Sequence, residues 1–598
     1  MHGRLTSAPR STLAGVLTVL TGFLAVIAFA GAAGTGSAAV DAVVAKPPSP
    51  APTITSDVAH DLSPPLRDLA AGRIAPDAED PAEEPERGPI AMDTGQQKPD
   101  GALQPQVGAA AIPSTSQNFE GLSNQDNFNI FGFRVNPPDP NGEVGPNNYV
   151  EMINLVFAIY DKSGHKLLGP VDTGTLWENF AVPDCTDPSG DPVVLYDQFT
   201  DRWILSQFTT SGMNRDGSFN GKPFYNCVAV SQTGDPTGAY YRYAFITSQA
   251  GSTSTFFPDY PKYGNWTDSY TLTSRDFGSQ DEYGISVYAL EKNKMVNGEP
   301  ARAVHFFLNG NDPDVLPLVG DGLLPADVDG KQKPKTDAAI PIVGTQDDNA
   351  SYGATFDALN VFDLSVKWRS TPIASLELNT QLPTAAFDSI FPCGVVPGSQ
   401  TPSTRDCLPQ PGVTDGSLFL DILSYRQRPT FRLAYRTFKD YEALVTNQSV
   451  EATPGVAGAR WYEIRRTGST YSLYQQGTYA PGDGIHRWMG SIAQDKKGDA
   501  ALGYSVVNAT TVFPGIRYTG RLAGDPLGQM TLGEGTIIDG SGVQTATNSR
   551  WGDYTDMTVD PVDDCIFWYV NEYYKESGTP ADTRPWRTRI ASFKLPGC

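Results

Sequence analysis

The sequence predicts an all-β protein: a β-propeller of seven blades following a disordered N-terminal leader. Three observations carry this. Short β-branched or aromatic runs bounded by Gly, Asp, Asn and Pro fill the chain from Ser114 onward. No long segment of helical period interrupts them. A strand–Asp–hairpin–strand scheme recurs along them.

The elements are justified in chain order. Arg4 and Arg10 precede the apolar run Leu13 to Ala30, and small-residue exits follow at Ala28-Phe29-Ala30 and Ser37-Ala38-Ala39. Residues 1–39 therefore read as a cleaved secretory signal. Residues 40–113 are rich in Pro, Ala and acidic side chains, as in Glu79-Asp80-Pro81-Ala82-Glu83-Glu84-Pro85-Glu86. Such a stretch cannot bury enough apolar area to order itself, so it is expected as a disordered linker, a spacer or a removable pro-segment. Residues 114–598 form the β domain. Within it, Phe438 to Val445 is the best short helix or turn candidate.

The repeat is clearest in three units. One runs Gly190-Asp191-Pro192-Val193-Val194-Leu195-Tyr196-Asp197, turns, and resumes at Asp201-Arg202-Trp203-Ile204-Leu205. Arg487 to Asp495 with Ala501 to Tyr504, and Arg550 to Asp560 with Cys565 to Tyr569, follow the same plan. Weaker starts fall near Gly145, Asp259, Ile342 and Asp415. Neighbouring units recur about every 65–70 residues, room for a four-stranded blade and long loops. A blade cannot bury both faces alone, and closing a ring of blades protects the sheet edges.

The run Val228-Ala229-Val230-Ser231-Gln232-Thr233-Gly234-Asp235-Pro236-Thr237-Gly238 resembles the Ser-x-Thr-x-Asp-Pro-Thr-Gly hairpins of secreted bacterial propellers, a group that includes sialidase-like proteins with Asp-box repeats and relatives of unassigned activity. A strict Asp-box is absent. The resemblance implies a propeller over about residues 115–598 and leaves the activity open.

Composition narrows the chemistry. The net charge of −23 argues against a nucleic-acid partner. One apolar run, at the N-terminus, approaches membrane-spanning length, so no membrane association is expected beyond the export signal. Six cysteines in an exported chain imply disulfides, and nearest-neighbour pairing would join Cys185–Cys227, Cys393–Cys407 and Cys565–Cys598. His165, His305 and His486 are too few and too scattered for a multi-His metal centre. No Gly-x-Ser-x-Gly elbow or phosphate loop occurs. No cofactor is expected. A structural calcium ion is the one metal considered, at Asp327-Val328-Asp329-Gly330 or at the propeller axis.

In propellers the innermost strands start at the face that carries the funnel, so entry residues converge there. Asp191, Asp259 and Asp553 are the candidate catalytic carboxylates; Arg487, Arg550, His486 and Trp551 are the candidate substrate-binding residues. Paired carboxylates supply an acid and a base or nucleophile for a glycosidic bond, arginines can clasp a sugar carboxylate, and aromatic faces stack on pyranose rings. Each Asp could instead simply cap a turn. Asp197, Asp495 and Asp560, before the hairpins, read as structural, and Glu463 and Glu572 are reserve carboxylates. The expectation is a monomeric, secreted or cell-surface enzyme acting on an extracellular polysaccharide by hydrolysis or elimination. The alternative is a non-catalytic propeller that binds glycans or envelope proteins; a calcium-dependent phosphatase-like propeller is a third reading.

Overall fold

The computed structural model describes residues 49–73, 92–95, 98–247, 256–280, 282–391, 393, 406–422 and 427–598. The expected signal, residues 1–39, lies outside these, as do residues 40–48 and 74–91 of the expected linker. The described chain is nearly all β, in antiparallel sheets laid out one after another.

Apart from the two-stranded pair Asp406–Leu408 and Leu420–Asp421, the sheets run outward from inner strands, two of which lie side by side in one nine-stranded sheet. The inner strands are Asn141–Val144, Val193–Asp197, Phe257–Asn265, Leu324–Asp329, Thr430–Thr437, His486–Gln494 and Asp556–Val559. In three dimensions each lies beside the next, and Asp556–Val559 returns to lie beside Asn141–Val144. The inner strands thus close a cycle, the arrangement of a β-propeller. Leu324–Asp329 and Thr430–Thr437 approach closely enough to pair in parallel.

The repeated sequence scheme is the inner hairpin of these sheets: Val193–Asp197 pairs with Arg202–Phe208, His486–Gln494 with Ala500–Val507, and Asp556–Val559 with Ile566–Tyr573. Its closing Asp holds the turn, as expected. Asp197 Oδ1 accepts the Phe199 N–H at 3.0 Å, Asp495 Oδ1 the Lys497 N–H at 2.7 Å, and Asp560 Oδ1 the Val562 N–H at 3.0 Å. Two starts differ from the sequence reading. Ile342 lies in a second strand, behind Leu324–Asp329, and Asp415 lies in an insertion ahead of Thr430–Thr437. Phe438 to Val445 is a turn followed by strand Glu442–Thr453, not a helix, because its apolar residues continue a ladder with Thr430–Thr437.

The ring is closed by distant parts of the chain. Strand Gln117–Ser123 pairs antiparallel with Arg587–Lys594, so an early strand completes the last sheet. Glu151 fastens this seam: it accepts the Leu122 N–H at 2.9 Å and the Tyr160 hydroxyl at 3.2 Å, and Thr588 also donates to it. The three disulfides join the expected nearest neighbours, with Cys598 tied to Cys565 beside the last sheet.

The linker expectation needs correction. Thr53–Ser56 adds an edge strand to Arg302–Asn309, Ala59–Leu62 adds one to Tyr240–Ile246, and Leu103–Gln104 pairs in parallel with Thr478–Tyr479. Between them, Leu66 is fully buried and Arg73 pairs with Asp172 at 2.8 Å. A polar, Pro-punctuated segment can be ordered this way because an edge strand draws its stability from backbone ladders on a preformed sheet rather than from a core of its own.

Candidate functional site

The entries to the inner strands share an unusual backbone. Asp139, Asp191, Tyr260, Met489 and Asp553 all have positive φ, at 49°, 39°, 54°, 46° and 63°. Each costs about 1–3 kcal/mol unless its surroundings enforce it, and such residues gather at functional sites. Gly190, at φ 106°, precedes Asp191 and supplies the turn an L side chain would resist. At Tyr260 and Met489 the ladder to the second strand slips out of register, which turns side chains toward the axis.

Four of these entries meet at one mouth. The Tyr554 hydroxyl lies 3.1 Å from Asp191 Oδ2 and 2.9 Å from the Pro261 carbonyl. The Tyr260 hydroxyl donates to the Asp553 carbonyl at 2.7 Å. Between the two rings sits the Lys262 ammonium, 2.9 Å and 3.5 Å from their centroids. Arg550 forms an ion pair with Asp553 and lies 3.6 Å from Asp421. Arg275 bridges Asp259 at 2.9 Å and Asp321 at 2.7 Å. Arg428 reaches Asp321 at 3.3 Å while lying 3.8 Å over the Tyr260 ring. A narrow pocket is lined by Tyr260, Lys262, Arg275 and Arg428.

Electrostatics differ across the cluster. Burial, and then the charge of Asp259, pushes the Asp191 carboxyl up to about 6. Burial and the charge of Asp191 hold Asp139 well above the usual carboxylate range, and the two carboxyls are close enough to share a proton. Burial pulls Lys262 well below the ordinary lysine range, against the pull of Asp191. Asp139 is 1% exposed, whereas the Asp259 and Arg550 side chains are each 21% exposed. The mouth therefore presents a proton-bearing carboxyl pair next to carboxylates clasped by arginine, an arrangement able to give a proton at one point and stabilise positive charge at another.

Of the sequence candidates, Asp191, Asp259, Asp553 and Arg550 belong to this cluster. His486, Arg487 and Trp551 do not, and their assignment to substrate binding is corrected. Arg487 is fully buried, pairing with Asp483 and Glu534 at 2.8 Å each. His486 Nδ1 accepts the Ala457 N–H at 3.2 Å, and burial, with Arg487 beside it, lowers it to about 4. Trp551 is fully buried, donates to Ser505 at 3.0 Å and stacks on Tyr574 at 5.6 Å. The reserve carboxylates also have structural partners: Glu463 pairs with Arg465 at 2.7 Å, and Glu572 accepts the Gly552 N–H at 2.8 Å. At the expected calcium fragment a guanidinium stands where a cation would, since Arg432 meets Asp327 at 2.7 Å and Asp329 at 2.8 Å.

Sequence reasoning missed Asp139, Tyr260, Lys262, Arg275, Asp321, Arg428 and Tyr554. Asp139 carried a usable signal, because Asp139-Pro140 stands two residues before its strand as Asp191-Pro192 does. Arg275 and Arg428 carried none, since they reach the mouth from a second strand and from a loop.

No protein-family model and no curated protein matches the chain. Among solved structures it is similar to an endo-arabinase from Bacteroides thetaiotaomicron, at 12% identity over 55% of this chain and 92% of that one, with a TM-score of 0.24. A xylan β-1,4-xylosidase from Bacillus halodurans is 8% identical over 81% of this chain and 97% of its own, with a TM-score of 0.27. A GH43 β-1,3-galactosidase is 11% identical over 81% and 93%, with a TM-score of 0.26. Likenesses at these scores define neither fold class nor activity.

Proposed function

We propose that the chain is a secreted, monomeric, seven-bladed β-propeller enzyme that cleaves an extracellular polysaccharide at the mouth described above, by glycoside hydrolysis. The observation that carries this reading is the Asp139–Asp191 pair, with Asp191 raised to about 6, beside the partly exposed Asp259. Asp191 is the general acid: it holds its proton up to about pH 6 and is oriented by Tyr554. Asp259, paired with Arg275, is the base or nucleophile. Asp553 and Arg550 position the sugar. Elimination from a uronic acid would use the same mouth with an arginine on the sugar carboxylate. Binding without turnover is the second reading, supported by how fully Arg275, Arg428 and Arg550 are paired with Asp259, Asp321 and Asp553.

The test is a panel of neutral and uronic polysaccharides with a reducing-sugar readout and an absorbance readout for unsaturated products. Asp191→Asn and Asp259→Asn are each expected to lower kcat by about 10²–10⁴-fold with the melting temperature kept. The wild-type rate should fall as pH rises above about 6, where Asp191 loses its proton. Full turnover in both variants would remove this site, and folded protein that binds a polysaccharide without cleaving it would leave the binding reading.

A further inference from the structure

We propose that the loop between strands Ile340–Gln346 and Ala358–Lys367 holds a calcium ion, ligated by Asp347, Asp348 and Asp357. One carboxylate oxygen from each of the three lies within 4.8 Å of the others. That spacing fits oxygens 2.3–2.6 Å from a common centre, the range calcium adopts in irregular oxygen sets. The backbone sets the three in place: Asp347 Oδ1 accepts the Asn349 N–H at 2.7 Å, and Asp357 accepts the Asp348 N–H at 2.9 Å and the Phe387 N–H at 3.1 Å. Each oxygen engaged in this way keeps a second lone pair.

Two further oxygens call for a cation. Oδ1 of Asp348 is buried and has no hydrogen-bond partner. Asp388 is only 2% exposed; its Oδ1 accepts the Ile390 N–H at 2.9 Å, and its Oδ2 has no partner. Asp388 is fixed against the cluster by the next residue, since Ser389 donates its N–H at 2.7 Å and its hydroxyl at 2.6 Å to Asp347 Oδ2. Among the described residues, the ammonium paired with the cluster is Lys98, which pairs with Asp348 and comes from the N-terminal segment lying over the loop. A bound cation would compete with Lys98 and relieve the remaining repulsion.

The site connects to the mouth. The Asp347 N–H donates to Gln427 Oε1 at 3.0 Å, and the Gln427 carbonyl accepts the Asp321 N–H at 2.9 Å. Asp321 in turn holds Arg275 and Arg428. Calcium would therefore stiffen the support of the mouth from behind, whatever reaction the mouth performs.

The test uses the full chain, stripped with EGTA, titrated with calcium chloride by calorimetry and followed by thermal melting. One calcium per chain and a higher melting temperature are expected. Asp348→Asn, which leaves every backbone N–H in the loop its partner, should weaken binding by roughly tenfold or more, because ligand charge sets affinity. Lys98→Met removes the competing ammonium and should tighten it. A wild-type chain showing neither heat nor a melting shift would overturn the proposal. So would calcium affinity unchanged by Asp348→Asn, which would place any bound ion elsewhere, or affinity unchanged or weakened by Lys98→Met.

Discussion

Arg487 shows how one side chain can imitate a functional residue in sequence. It stands beside a tryptophan at an inner-strand entry, as Arg550 does, yet it is fully buried between Asp483 and Glu534 while Arg550 reaches the mouth. The difference lies in the preceding segments: Asp483 is four residues back, where it can meet Arg487, whereas the partners of Arg550 are Asp553 ahead of it and Asp421 from a distant loop. Arg487→Met should therefore cost about 3 kcal/mol in a urea titration, by leaving the mostly buried Glu534 carboxylate short of a partner, with KM on any substrate unchanged. A raised KM at full stability would return Arg487 to the binding residues. Asp191, Asp259 and Asp553 were legible in the sequence because they stand at or beside the entries of inner strands, whereas Asp139 and Asp321 were missed. Of the basic residues Arg550 was legible, but Lys262 depends on a register slip and Arg428 on a loop that crosses from another sheet, and neither leaves a local pattern.

Strands differ in how openly they announce themselves. Inner hairpins carry an Asp that closes the turn and an aromatic in the returning strand, so three of them stood out from their neighbours. Leu324–Asp329 was hidden by Pro325 and by its parallel partner, which removes the hairpin signal. Thr430–Thr437 was hidden by Arg432, whose charge reads as surface although it is buried against Asp327 and Asp329. The edge strands Thr53–Ser56 and Ala59–Leu62 were misread because their order is supplied by sheets that lie far along the chain. Gln117–Ser123 belongs with these, and it has the largest task. Replacing it with a Gly/Ser stretch of equal length should uncover the edge of Arg587–Lys594 and strip Phe119 from Tyr160 and Trp568. The expected result is a lower melting temperature and concentration-dependent association in light scattering, since a bare edge recruits other chains. An unchanged, monodisperse variant would show that the ring does not need this strand.

Across the molecule, burial raises many carboxyls at once. Glu151, Asp276 and Asp495 reach about 7, and Asp191, Asp327 and Asp347 about 6. Each binds its proton more tightly folded than unfolded, so the native state holds more protons between about pH 4 and 7 and stability falls as pH rises through that window. The urea midpoint should be higher near pH 5 than near pH 8. Glu151→Gln, which keeps the shape at the seam but cannot ionise, should narrow that difference; an equal difference in the variant would mean that Glu151 does not titrate in this range.

Because residues 117–123 must find residues 587–594, this sheet cannot be finished until a segment more than 450 residues further along has left the ribosome. Synthesis that stops before residue 587 would leave a ring with a gap, without the Cys565–Cys598 bridge, and such an unfinished product should be readily recognised and degraded.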